Sequence, residues 1–63
     1  MLKESVPLTK KEEEILQLVK MGLSNKEIAA RLGNAEGTIK HHVKIILAKY
    51  NVHDRKKLIA GNI

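Results

Sequence analysis

Residues 24–50 constrain the fold of this chain more than any other stretch. Ser24-Asn25-Lys26-Glu27 is a capping box, a serine and a glutamate three positions apart that satisfy each other's orphan amides. Leu23 and Ile28 flank it at the two positions of a hydrophobic staple, which sets the angle at which the chain joins the helix. Ile28, Ala29 and Leu32 then share the inward side, while Lys26, Ala30 and Arg31 face out. Gly33 takes positive φ at little cost, so the spacing predicts a helix over 25–32. After Gly33-Asn34 a longer helix is predicted over 35–50. At 100° per residue its Ile39, Val43, Ile46 and Tyr50 fall in a narrow arc, with Leu47 beside them. Gly37, Lys40, His41, Lys44 and Ala48 lie opposite.

The flanks supply the rest of a core. Thr9-Lys10-Lys11-Glu12 is another capping box, and Ile15, Leu18 and Val19 form a stripe with Leu16 at its edge. With Gly22 as a C-terminal cap, this predicts a helix over 10–21. Asn51 suits the left-handed residue that would end the third helix. Asp54 can cap a fourth helix over 54–61, whose apolar face is Leu58 and Ile59. Nothing alternates with period two, so the expected fold class is all-α, a compact four-helix domain containing a helix-turn-helix. Residues 1–7, ending in Pro7, read as a linker or loose N-terminus before one domain over 8–63. A domain this short buries only about 60% of its unfolded surface, which leaves no room for a deep substrate cavity beside the core.

Charge narrows the function. The net charge is +5, and residues 1–23 contribute nothing to it, four lysines cancelling four glutamates. The excess lies in residues 24–63, where eight Lys and Arg face only Glu27, Glu36 and Asp54. Clustered cations gain from a polyanion by displacing its condensed counterions. A membrane surface would satisfy charge alone, so the pattern on the third helix decides. There Lys40 and Lys44 are one turn apart, His41 lies beside Lys40, and Gly37 and Ala48 bracket them with almost no side chain. A helix entering a groove roughly 12 Å wide needs such small residues for its backbone to approach base edges. Lysine suits the O6 and N7 acceptors of guanine, and histidine can donate to a base or a phosphate. Lys40, His41 and Lys44 are therefore the expected base contacts. Asn25 and Thr38, near helix starts, are placed for phosphates, and Lys26, Lys49 and Arg55 are further phosphate candidates.

The sequence resembles the LuxR-type helix-turn-helix family of bacterial transcription regulators. The resemblance is carried by Leu8-Thr9, Lys11-Glu12, Glu14-Ile15-Leu16-x-Leu18, Gly22, Ser24-Asn25-Lys26-Glu27-Ile28-Ala29 and Leu32. It continues through Glu36-x-Thr38-Ile39-Lys40-x-His42, Lys49 and Val52-x-x-Arg55, and so covers residues 8 to about 60. It implies a four-helix DNA-binding domain with 25–32 as scaffold and 35–50 as recognition helix, placing Lys40, His41 and Lys44 at bases. It also implies a homodimer, on DNA if not in isolation, through a contact that would fall on residues 52–60. Val52, Leu58 and Ile59 are the expected contact, since little of the chain remains to cover them. Three residues depart from the family pattern. Ala35 stands where a capping serine is usual, a loss of about 1 kcal/mol unless Asn34 caps one residue earlier. Asn34 replaces an apolar residue, and Tyr50 a leucine. The Tyr50 hydroxyl needs a partner if buried, so it is expected at the core's edge.

Catalysis, metal and cofactor find no support. His41 and His42 are adjacent, about 100° apart on a helix, and cannot chelate one ion. His53 has no second ligand at a metal-site spacing. His42 reads as a structural or phosphate-contacting side chain. Glu12, Glu13 and Glu14 fan around their helix as caps and solvated face. The chain has no cysteine, which fits a reducing cytoplasm, and no apolar run near the roughly 20 residues of a membrane span. The expected function is sequence-specific binding of double-stranded DNA by a cytoplasmic, nucleoid-associated transcription regulator, with RNA polymerase a further partner. Two rivals stand beside it: a promoter-recognition domain of a sigma-like factor, which requires polymerase core, and a helical adaptor whose basic face meets an acidic protein.

Overall fold

In the computed structural model, which describes residues 7–60, four helices follow in order: α1 (Lys10–Lys20), α2 (Asn25–Leu32), α3 (Glu36–Lys49) and α4 (Arg55–Ala60). Of the expected N-terminal linker only Pro7 is described, and the expected end of α4 at 61 lies outside the described residues. The described residues contain no strand.

Both capping boxes form. The Thr9 and Ser24 hydroxyls accept from the amides of Glu12 and Glu27 at 3.1 Å, and the two carboxylates accept from the Thr9 and Ser24 amides at 3.0 and 2.7 Å. The first three helices end in left-handed residues, Gly22 (φ 91°), Gly33 (φ 71°) and Asn51 (φ 58°). Each lets the next amide reach back to a carbonyl five residues earlier: Leu23 to Leu18 at 3.2 Å, Asn34 to Ala29 at 2.9 Å, Val52 to Leu47 at 3.0 Å. Asp54 Oδ1 caps α4, accepting from the Lys56 amide at 2.9 Å. The start of α3 is the exception. Ala35 is its N-cap, with extended backbone and no side-chain hydrogen bond. Asn34 does not take over that role, since its Oδ1 is buried without a hydrogen-bond partner.

Helix α3 packs on both α1 and α2, and α4 packs on α1. Ile15, Val19, Ile28, Ile39, Ile46 and Leu58 are wholly buried, so every helix contributes to one core. Tyr50 stands at the edge, 37% exposed. One expectation fails here and another gains a feature. Glu12 caps α1 as expected but is also buried, with the Lys49 ammonium 2.7 Å from its Oε1. Leu58 is not open for a dimer contact, because α4 turns it fully into the core against α1.

Candidate nucleic-acid interface

The inward residues of α3 anchor it by Ile39, Val43 and Ile46, which leaves the opposite side in solvent. Asn25, Gly37, Lys40, His41, Val43, Lys44 and Leu47 line an open furrow along the flank of that side, between α3 and the start of α2. A second depression, lined by Lys44, Leu47, Ala48, Asn51, Val52 and His53, adjoins it at Lys44 and Leu47 and reaches the loop before α4. Lys40, His41 and Lys44 are all exposed, and neither lysine ammonium meets a carboxylate among the described residues. A Cβ added at Gly37 would meet nothing within 4 Å, so its lack of a side chain answers no need inside the protein. Lys26 and Thr38 are likewise exposed. The His41 and His42 rings are 6.2 Å apart and tilted by 56°, with His41 outward and His42 half-buried, its Nδ1 without a protein partner.

Two expected phosphate contacts are engaged elsewhere. The Lys49 ammonium donates to Glu12 Oε1 at 2.7 Å and to the Pro7 carbonyl at 3.2 Å. The Lys49 hydrogen bond, joined by that from the Thr9 amide, holds the Glu12 carboxyl below the usual carboxylate value against the opposing effect of burial. Arg55 donates to the carbonyl of Leu23 at 2.6 Å and to Oδ1 of Asn25, and its burial lowers the guanidinium pKa from the ordinary value. No local pattern announces either link, because the partners are 37 and 30 residues apart. Asn51 and His53 line the far end of the second depression. Of the expected dimer contacts, Ile59 is 44% exposed and Val52 half-buried against the core.

A short scaffold helix, a left-handed turn and a second helix with unpaired cations outward define a helix-turn-helix DNA-binding domain. Residues 6–60 match the family described as bacterial regulatory proteins, luxR family, and the chain belongs to it, as a DNA-binding domain of bacterial transcription regulators. It is 48% identical over 52 residues to the transcriptional regulatory protein LnrK of Bacillus subtilis (strain 168), covering 82% of this chain and 24% of that protein. It is 48% identical over 58 residues to the glycerol metabolism activator of Pseudomonas putida, covering 89% of this chain and 26% of that protein. The crystal structure of the response regulator ChrA of a heme-sensing two-component system superposes with a TM-score of 0.82 at 40% identity, covering 92% of this chain and 29% of that one. The chain thus spans about a quarter of the length of these curated relatives. No helix among the described residues is long and apolar enough to cross a membrane.

Proposed function

We propose that this domain reads a specific double-stranded DNA sequence with α3 in the major groove, as part of a cytoplasmic, nucleoid-associated transcription regulator. One observation carries the reading: Lys40 and Lys44 stand exposed and unpaired on the face that Gly37 and Ala48 leave open. Lys40, His41 and Lys44 contact bases. Asn25, Lys26 and Thr38 contact phosphates, while Lys49 and Arg55 leave that set because protein oxygens already hold them. The homodimer contact falls to Ile59 and Val52, without Leu58.

Selection of bound sequences from random duplexes, followed by titration of variants, tests this. Lys40→Ala should cost about 1–3 kcal/mol on the selected duplex and relax preference at one base step. Lys26→Ala should weaken all sequences alike and make the salt slope shallower by about 1. Equal binding of selected and scrambled duplexes by wild type and Lys40→Ala would sink the base assignment. No duplex binding at moderate salt would favour the adaptor.

A further inference from the structure

Arg55 ties two helices together. From the first residue of α4 its guanidinium reaches the Leu23 carbonyl, at 2.6 Å, and Oδ1 of Asn25, the first residue of α2. A guanidinium carries donors only, so the Asn25 atom that meets it has to be the oxygen. The planar amide then turns its nitrogen, two donors with no acceptor, the other way. Asn25 also lines the furrow beside Lys40, His41 and Lys44. The duplex backbone offers only acceptors on its phosphates, so the orientation of this amide decides whether Asn25 attracts or repels it. Unheld, the amide rotates about a broad terminal torsion and offers either end.

We infer that Arg55 is a positioning residue of the DNA interface, fixing the Asn25 amide so that its donors face the duplex. This rests on the furrow being the DNA-facing surface, as proposed above. It also links α4, the proposed dimer helix, to the reading face through one side chain. Lysine is a poor replacement for arginine here. Arg55 meets the amide oxygen and the carbonyl with two separate nitrogens of one planar fork, and a single ammonium nitrogen does not reproduce that geometry.

The test is a cycle of duplex affinities for the 63-residue chain, using the sequence most enriched by wild type. Arg55→Lys and Asn25→Ala should each lose about tenfold, the worth of one hydrogen bond to a charged group. The double variant should be within about twofold of Asn25→Ala alone, since Arg55 acts through Asn25. Losses that multiply in the double variant overturn the inference, because a direct contact or a fold-level defect would act in both backgrounds. So does unchanged affinity in Arg55→Lys. Asn25→Asp supplies a second arm that does not threaten folding: it keeps an acceptor for Arg55, so the thermal midpoint should hold while affinity falls. Retained affinity in that variant overturns the inference. Lys40→Ala separates the two levels. If it weakens binding and Asn25→Ala does not, the inference fails and the DNA-facing reading stands; if neither weakens binding, both fail.

Discussion

On the outward face of α3, Lys40 and Lys44 project among glycine, histidine and alanine, and no carboxylate among the described residues meets them. At its end Lys49 is clasped by Glu12 and by the Pro7 carbonyl, with its side chain only 17% exposed. All are lysines of one helix. What separates them is azimuth: Lys49 lies about 140° round from Lys44, which turns it from the open furrow toward α1. One face of the helix leaves its cations unpaired among the described residues, and another uses its cation to fasten the helix to the domain. The same contrast appears in the caps. Helices α1 and α2 begin in reciprocal boxes, whereas α3 begins at Ala35 with no side-chain cap.

The contrast is broken most forcefully at the clasp. Lys49→Ala leaves the buried Glu12 carboxylate without its partner. It should cost about 2 kcal/mol, between the values for exposed pairs and fully buried ones, because water stays close in so thin a domain. Chemical denaturation of this variant beside Lys44→Ala measures the difference; Lys44→Ala should stay within about 0.5 kcal/mol of wild type. Equal losses would mean that the clasp adds nothing. Ala35→Ser should move stability the other way, gaining about 1 kcal/mol by capping the first turn of α3. An unchanged thermal midpoint would show that water already serves those amides as well as a hydroxyl does.

Gly37→Ala separates stability from function on the open face. With nothing within 4 Å of the added Cβ, it should stabilise the helix by about 0.5–1 kcal/mol. Duplex affinity should fall nonetheless, because the methyl group holds the backbone away from the base edges. A variant that is both more stable and equally tight on DNA would remove close approach as the reason for glycine. The smallest expected effect is in pH. The folded pKa of Glu12 is depressed below its ordinary value of 4.5, so its contribution is complete above that pH and fades as pH falls toward the folded value. Unfolding free energies measured down to about pH 3 should therefore fall more steeply for wild type than for Glu12→Gln. Parallel curves would exclude the clasp as the source.

Much of the fold was legible because its signals are local. Thr9 with Glu12, Ser24 with Glu27, and the left-handed residues Gly33 and Asn51 lie within a few positions of what they organise, and the structure carries them all as expected. The α3 range differs from expectation by one residue at each end, because Ala35 and Tyr50 are the caps flanking Glu36–Lys49. The candidate site was legible in part. Helical spacing places Lys40, His41 and Lys44 on one face from the sequence alone. The protein partners of Lys49 and Arg55 are not legible in the sequence, since a lysine in a basic segment looks alike whether its nearest carboxylate is solvent-separated or, as here, 37 residues away and touching.

The sequence by itself determined four helices, their caps, the side of α3 that stays open, and family membership, because each rests on periodicity, turn chemistry or spaced identities along the chain. Only the tertiary structure decided which charges remain free. Packing of α3 on α1 brings Lys49 to Glu12, and the return of α4 brings Arg55 to Asn25 and seals Leu58 in the core. Those pairings depend on how helices meet across the core, and no local pattern of residues encodes a distance between segments 30 or more positions apart.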